Sequence, residues 1–255
     1  MLLKCYFRMT RNVLIVTKVK CSYAKIIKKR RHCMQEYDLS IIIPCLNGGD
    51  RISACVGEAM GVLRRYGIKG RVIVADSMSS DNSVQKSLEK GAAVVSTPQK
   101  GWGNIVRAAI LASEEKYIII CDMHCDCGTV PSFYNALASG EKTVMGNRFA
   151  DESNPDIPRS CRLYSKITAK LISLKYGCRI SDMGSGMYGF CRSELLDMKL
   201  RSGDRTLLAE ILCSHLKLNG TVAELPVAMR RGLSRRMQFC RRGDCIKSII
   251  KVIFS

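Results

Sequence analysis

An apolar run leads directly into polar, metal-competent side chains in the stretch Tyr117-Ile118-Ile119-Ile120-Cys121-Asp122-Met123-His124-Cys125-Asp126. The preceding residues, 102–115, have the pattern of a helix. A helix followed by a short, entirely apolar run is typical of a buried parallel strand. Because parallel sheets bind ligands at the carboxyl ends of their strands, we expect Asp122 to lie at the mouth of a sheet.

The polar end of this stretch has two interpretations. Alternate residues of an extended segment point the same way, so Asp122, His124 and Asp126 can face one cation. Oxygen and imidazole donors suit Mn²⁺ or Mg²⁺ better than a closed thiolate zinc site. The other interpretation is a strand followed by a polar turn that Asp122 caps. A zinc site of His124, Cys125 and Cys127 is disfavoured, because no second ligand pair follows at finger spacing.

Strands alternate with helices along the first half of the chain in the predicted order βαβαβαβ. Strands are expected at 39–44, 71–76, 92–96 and 117–120, and helices at 52–66, 83–90 and 102–115. This order predicts an α/β fold with a Rossmann-like, mostly parallel sheet flanked by helices. Asp76, like Asp122, follows a strand, where an acid commonly binds a ribose or base. No GxGxxG or Walker loop is present, which disfavours dinucleotide-binding and P-loop proteins.

The net charge of +19 is concentrated at the two ends of the sequence. Residues 1–37 hold ten Lys or Arg against one acid, and residues 227–255 hold eight against one. We therefore predict a basic N-terminal extension (1–37), a domain (38–226) and a basic amphipathic C-terminal segment (227–255). Residues 1–34 are expected to form either an interfacial helix or a leader outside the domain. No apolar run reaches the ~18–20 residues that span a bilayer.

Basic ends on a nearly neutral body favour an acidic partner, either an anionic membrane surface or nucleic acid. The sequence has no RRM, KH or helix-turn-helix pattern, and its charge is confined to the ends. We therefore expect a membrane surface and no nucleic acid.

Eight features of the sequence match the motifs of one enzyme family in order. They are 41–47 (IIIPCLN), 75–83 (ADSMSSDNS), 101–109 (GWGNIVRAA), 122–124 (DMH), 144–149 (VMGNRF), 181–186 (SDMGSG), Glu210, and 222–227 (VAELPV) with 231–235 (RGLSR). In this order they resemble the family 2 glycosyltransferases, which have a GT-A fold. The closest resemblance is to the dolichyl- or polyprenyl-phosphate branch, and it covers roughly residues 39–247.

The resemblance implies an inverting, metal-dependent transfer of a sugar from a UDP- or GDP-sugar to a polyprenyl phosphate. It implies an enzyme that is cytoplasmic and peripheral on the inner face of the cell membrane. The implied nucleotide-sugar site is Pro44, Asn47, Asp76, Ser77, Gly101, Trp102, Asp122 and Met123. The implied metal ligands, for Mn²⁺ or Mg²⁺, are Asp122 with His124 or Asp126. The implied acceptor-phosphate site is Arg148, Arg231, Ser234 and Arg235, and the implied catalytic residues are Asp122, Asp182 and Glu210.

Three positions depart from the family pattern, because Gly48, Ser77 and His124 stand where relatives carry acids. His124 favours Mn²⁺ over Mg²⁺. Two alternatives therefore stay open: a transferase that acts on a sugar hydroxyl, and a catalytically weakened scaffold that binds a nucleotide sugar or a lipid. Glu210 also has a structural interpretation, as an acid that faces Arg205 or His215.

Overall fold

The computed structural model describes residues 7–10, 13–16, 37–150, 157–230 and 250. Nine strands of this part of the chain form one sheet: β1 (Phe7–Thr10), β2 (Val13–Val16), β3 (Leu39–Cys45), β4 (Gly70–Asp76), β5 (Ala93–Ser96), β6 (Tyr117–Cys121), β7 (Thr143–Asn147), β8 (Met187–Cys191) and β9 (Ala223–Pro226). The helices are α1 (Gly49–Arg65), α2 (Ser83–Glu89), α3 (Trp102–Ala112), α4 (Val130–Ala138), α5 (Arg159–Tyr176), α6 (Arg192–Asp197) and α7 (Leu207–Lys217). The domain boundaries given above stay predictions.

The strand order is β1-β2-β5-β4-β3-β6-β8-β7-β9. Strands β5, β4, β3 and β6 run parallel, with Ile41 opposite both Val72 and Ile119. Strand β8 is antiparallel to both of its neighbours, β6 and β7. The prediction of an α/β fold with a mostly parallel sheet is confirmed.

The N-terminal strands differ from the sequence prediction of an interfacial helix or a leader. Strand β2 pairs in parallel with β5, so that Leu14 lies opposite Val95, and β1 pairs with β2 in an antiparallel hairpin. The run Val13-Leu14-Ile15-Val16 is rich in β-branched residues, which favour a strand that extends an existing sheet edge.

The central strands are buried on both faces because helices cover each side. Ile42, Ile118 and Ile120 pack beneath α3, α5 and α7. The alternating residues Ile41 and Ile119 pack on the opposite face, beneath α1 and α4. Burial on both faces explains why these strands read as continuous apolar runs instead of alternating ones.

Candidate active site

A cleft of about 830 Å³ opens at the carboxyl ends of β3 and β6. Segments distant in sequence line it, including the start of α3, residues 184–186 and residues 204–206. Seven of the predicted site residues line the cleft: Pro44, Ser77, Gly101, Trp102, Asp122, Met123 and His124. The parallel strands bring these residues together, because their carboxyl ends meet at one edge of the sheet.

Asp122 is the electrostatic centre of the cleft. One carboxylate oxygen, Oδ1, lies 2.8 Å from His124 Nδ1, and the other accepts a hydrogen bond from Arg205 Nη1 at 3.0 Å. Burial raises the pKa of Asp122, but the charges of Arg205 and His124 outweigh burial and hold this pKa well below its ordinary value. Asp122 is therefore an anion at neutral pH, with a cation and an imidazole beside it.

Two side chains at this centre have the chemistry of ligands for Mn²⁺ or Mg²⁺. His124 Nε2 is buried without a hydrogen-bond partner among the described residues, and Asp122 offers carboxylate oxygens. No group of three His, Cys, Asp or Glu in the described ranges is arranged to hold a metal ion. In this arrangement His124 Nδ1 faces Asp122 Oδ1, so Nε2 points away from that carboxylate, and the imidazole must turn before both side chains can hold one metal ion. Substrate phosphates and waters commonly complete such sites for Mg²⁺.

Asp126, predicted as an alternative ligand, has a different position. Its carboxylate caps the short 3₁₀ helix Cys127–Thr129 by accepting a hydrogen bond from Gly128 N at 2.7 Å. Its own backbone N–H donates to the carbonyl of Ala228 at 3.0 Å. The structure thus joins Asp122 and His124 but gives Asp126 the role of a cap. Since the chain turns directly after β6, the alternation of an extended strand does not continue to residue 126.

Arg205 is a site residue that the sequence analysis missed. Its guanidinium lies 5.2 Å from the centroid of the Trp102 ring while it pairs with Asp122. From the sequence, Arg205 is expected only as a partner of Glu210. No family motif points to it, because its place depends on how the loop 198–206 packs against the start of α3.

Glu210, on α7, stabilises the loop 198–206. Its two carboxylate oxygens accept hydrogen bonds from the backbone N–H groups of Arg201 and Ser202, both at 2.8 Å. Glu210 is thus a satisfied structural acid, as one of its two interpretations predicts, but its partners are these backbone groups and not Arg205 or His215. Glu210 also does not line the cleft. The Glu210 carboxylate instead accepts both of these hydrogen bonds and thereby holds in place the loop that carries Arg205.

Gly103 lets the loop approach α3 closely, and its replacement tests that contact. A Cβ at Gly103 would lie 2.5 Å from the carbonyl oxygen of Asp204 and 2.6 Å from that of Ser202. We expect Gly103→Ala to lower the free energy of unfolding by about 1–3 kcal/mol, because backbone atoms must shift. Chemical denaturation measures the change.

The matched control for this substitution is Gly57→Ala in α1, where a Cβ has nothing within 4 Å. We expect this variant to be unchanged or stabilised by up to about 1 kcal/mol through helix propensity. Equal effects of the two substitutions would contradict the close approach of the loop.

The predicted nucleotide-binding residues Asp76 and Asn47 organise the loop after β4. Asp76 is buried, and its carboxylate accepts hydrogen bonds from Ser79 N at 3.0 Å and Ser79 Oγ at 2.6 Å. Asn47 Oδ1 accepts one from Ser80 N at 2.9 Å. Neither side chain lines the cleft, whereas Ser77 does. Asp76 and Asn47 therefore shape the cleft wall through the loop that they hold.

Gly48, one of the departures from the family pattern, occupies a crowded position. A Cβ there would lie 2.9 Å from Cys45 Sγ and 3.3 Å from Met123 Sδ. Its backbone N–H donates to Ser83 Oγ at 2.8 Å. An acidic side chain at residue 48 would therefore require the side chains of Cys45 and Met123 to shift.

Arg148 and Asp182 form a buried ion pair. Arg148 Nε and Nη2 donate to the two carboxylate oxygens of Asp182, each at 2.7 Å, and the backbone N–H of Arg148 adds a third bond at 2.9 Å. Burial lowers the pKa of Arg148, but Asp182 outweighs it and the net shift is upward. Both side chains are almost inaccessible, at 1% and 0% exposure.

This pair changes the roles expected for both residues. The family motifs imply that Arg148 binds the acceptor phosphate and that Asp182 acts in catalysis. Neither side chain lines the cleft. Their hydrogen bonds instead join the end of β7 to the segment 182–184, which supports the cleft wall at Gly184.

The other acceptor-phosphate residues, Arg231, Ser234 and Arg235, lie outside the described residues and stay predictions. The chain just before them packs beside the Asp122 loop. Arg230 Nε donates to the carbonyl of Cys125 at 2.9 Å, and its guanidinium pairs with Glu58. The start of the predicted C-terminal segment therefore contacts the back of this loop.

Sequence comparison decides the family. The family described as "Glycosyl transferase family 2" matches residues 40–196, which is more than half of the chain. The chain belongs to glycosyl transferase family 2. This membership confirms the predicted family and the prediction of a glycosyltransferase domain.

Two similar curated proteins come from Haloferax volcanii. The low-salt glycan biosynthesis hexosyltransferase Agl6 is 28% identical over 194 residues, covering 74% of this chain and 47% of that protein. A dolichyl-phosphate hexose transferase is 26% identical over 226 residues, covering 86% of this chain and 96% of that protein. The chain thus spans about half of the first relative and nearly all of the second.

Solved structures of glucosyl-3-phosphoglycerate synthase from Mycobacterium tuberculosis share the fold. The complex with phosphoglyceric acid has a TM-score of 0.66 at 18% identity, covering 86% of this chain and 79% of that chain. The complex with Mn²⁺, uridine-diphosphate-glucose and phosphoglyceric acid has a TM-score of 0.64 at 18% identity, covering 86% of this chain and 77% of that chain. This likeness confirms the predicted GT-A fold.

None of the helices that the structure describes is long and apolar enough to cross a bilayer.

Proposed function

We propose that this transferase moves a sugar, with inversion, from a nucleotide-sugar donor to a polyprenyl phosphate at an anionic membrane surface. The observation that carries the proposal is the Asp122–His124 pair in a cleft at the carboxyl ends of the strands. The similarity to a dolichyl-phosphate hexose transferase over nearly its whole length supports the acceptor. A peripheral position on the inner face of the membrane belongs to the same proposal.

The donor's leaving group is a diphosphate, and its charge grows as the bond from sugar to oxygen breaks. Asp122 and His124 would hold Mn²⁺ or Mg²⁺, which when bound neutralises that charge as a Lewis acid. Arg205 provides a second cation in the cleft, and its planar guanidinium suits phosphate oxygens. Pro44, Ser77 and Trp102 line the same cleft and would contact the donor.

The carboxylates of the cleft favour a phosphate acceptor. Among the described lining residues only Asp122 and Asp204 are acids. Asp122 is paired with Arg205, and Asp204 accepts hydrogen bonds from the backbone and hydroxyl of Thr206 at the start of α7. An acceptor that is already anionic needs no general base. The second candidate function, transfer to a sugar hydroxyl, would use Asp204 as that base, because this exposed carboxylate lies in the cleft.

A nucleotide-release assay tests the proposal. The full chain is incubated in detergent with polyprenyl phosphate, a panel of UDP- and GDP-sugars, and Mn²⁺ or Mg²⁺. We expect release with one donor that requires the lipid, and a preference for Mn²⁺ that moves toward Mg²⁺ in His124→Asp. Release that depends on a sugar acceptor and is lost in Asp204→Asn would establish the second candidate. No release from folded protein that still binds a nucleotide sugar would support the scaffold interpretation.

Arg205 has two expected effects in the cleft: it faces the diphosphate as a cation, and it competes with a metal ion for Asp122. Replacement of Arg205 should separate them. We expect Arg205→Met to lower kcat/KM by about 10²-fold, because a cation that faces the diphosphate is lost. The same variant should bind Mg²⁺ more tightly, because Asp122 is no longer paired. Trp102 is the single tryptophan of the chain, so its fluorescence reports both the loss of the guanidinium and the titration with Mg²⁺.

The control for this experiment is Arg64→Met, which removes an exposed cation at the end of α1. Its tryptophan emission and Mg²⁺ affinity should equal those of the unaltered chain. Weaker binding of Mg²⁺ by Arg205→Met would show that Arg205 supports the metal site instead of competing for Asp122.

A further inference from the structure

Helix α5 combines basic charge with exposed apolar side chains. Its 18 residues contain no acid and five cations, which are Arg159, Arg162, Lys166, Lys170 and Lys175. Large hydrophobic side chains lie exposed on it: Leu163 at 62%, Ile167 at 39% and Leu174 at 72%. The acidic residues of the segment 151–156 precede α5 and lie outside the described residues. A surface helix normally exposes a polar face, so this apolar stripe needs another explanation.

The exposed apolar residues share one face of α5. Leu163 and Ile167 are one turn apart, and Leu174 follows two turns later, so the three form a stripe along the helix. The exposed Lys166 and Lys170 flank this stripe. The opposite face is used by the domain core, where Tyr164, Ala169 and Ile172 are buried. The helix therefore has an inner apolar face that stabilises the fold and an outer one that the described fold leaves uncovered.

We propose that this outer face of α5 docks on an anionic lipid bilayer. Leucine and isoleucine can enter the boundary between headgroups and acyl chains, while lysine stems reach back to the phosphates. Anionic lipid attracts basic residues near the surface, and α5 contributes no acid to oppose that attraction. This charge favours a bilayer over a protein partner of mixed charge. This proposal rests on the proposed function, because transfer to a membrane lipid is what a bilayer-docking surface would serve.

Docking through α5 would bring the cleft close to the lipid. Tyr164 lines the cleft, and its neighbour Leu163 belongs to the exposed stripe. A helix with its side chains is about 10–12 Å across, so one helix width separates the bilayer surface from the cleft. Arg162 and Lys166 lie 5.2 and 5.4 Å from the centroid of the Phe149 ring, at the same end of the helix. Two cations thus stand near the exposed Leu163, where lipid phosphates would lie.

Binding of the full chain to lipid vesicles tests whether the outer face of α5 docks on an anionic bilayer. The probes are vesicles of phosphatidylcholine alone and of phosphatidylcholine with phosphatidylglycerol, at low and high salt. Salt weakens binding by the basic charges at the ends of the chain, whereas apolar insertion survives salt, and the amphipathic segment 227–255 is the same in every variant compared. We expect the triple variant Leu163→Ser, Ile167→Ser and Leu174→Ser to lose at least tenfold in affinity for anionic vesicles at high salt.

The control is Arg64→Glu with Arg65→Glu, at the end of α1 on the opposite face of the sheet. It should bind anionic vesicles at high salt as the unaltered chain does. Equal affinities of the triple variant and the unaltered chain would overturn the proposal. If the triple variant does not fold, Leu174→Trp tests the same contact. Brominated lipid should quench the tryptophan emission of this variant much more than that of the unaltered chain. Absence of the additional quenching would also overturn the proposal.

The catalytic assay separates this inference from the proposed function. With the polyprenyl phosphate in detergent, the triple variant should release nucleotide at the rate of the unaltered chain, while with the lipid in vesicles it should lose at least tenfold. If no donor is consumed by any form, the proposed function fails. Vesicle binding that depends on α5 would still stand in that case.

Discussion

Asp122→Asn is expected to lower kcat by about 10³-fold while the protein stays folded. The carboxylate is the anion at the centre of the cleft, and an amide cannot supply the charge that balances Arg205 or a bound cation. Loss of one preorganised electrostatic contact at a developing charge typically costs 10²–10³-fold, and loss of a metal ligand removes more than one contact. Steady-state kinetics with saturating donor and metal measures the effect.

The matched control is Asp126→Asn, four residues further along the same loop. Asp126 caps a 3₁₀ turn, and an amide oxygen can accept the same hydrogen bond from Gly128 N. We therefore expect kcat within a few-fold of the unaltered value, with metal affinity unchanged. An equal loss in the two variants would restore Asp126 as a ligand. An active Asp122→Asn enzyme would remove the basis of the proposed metal site.

Arg148→Met is expected to lower the free energy of unfolding by about 3–5 kcal/mol, because it leaves the Asp182 carboxylate buried without its cation. Ser165 and the backbone of Gly184 still donate to that carboxylate, but they do not neutralise it. The double variant with Asp182→Leu should recover part of the loss, since it removes the stranded charge as well. Denaturation by urea, analysed as a double-mutant cycle, measures the coupling between the two residues.

An exposed ion pair provides the comparison. Lys142 Nζ and Glu194 Oε1 lie 3.8 Å apart with 55% and 28% exposure, so Lys142→Met should change stability by less than about 1 kcal/mol. If Arg148→Met were as stable as Lys142→Met yet failed to bind polyprenyl phosphate, the guanidinium would be available to the acceptor. That result would reinstate the role in acceptor binding that the family motif implies for Arg148.

The central strands and the position of Asp122 can be predicted from the sequence alone. Residues 39–44, 71–76 and 117–120 were predicted as strands, and the structure has strands at Leu39–Cys45, Gly70–Asp76 and Tyr117–Cys121. These predictions succeed because a parallel strand covered by helices on both faces is apolar at nearly every position, which is visible in a short window of sequence. The contact between Asp122 and His124 is local as well, since the two residues are separated by one position, but the sequence predicts only that both face one cation, and the hydrogen bond between them is seen in the structure.

Which polar side chains reach the cleft depends on contacts between segments that are distant in sequence. Arg205 meets Asp122 across 83 positions, because Gly103 lacks a Cβ and lets the loop 198–206 lie on α3. Arg148 meets Asp182 across 34 positions, and burial with a bidentate partner withdraws both from the cleft. Such pairings depend on strand order and loop packing. A motif preserves the identity of a residue, but the direction of its side chain and the partner that neutralises it are set by contacts that form only when distant segments come together.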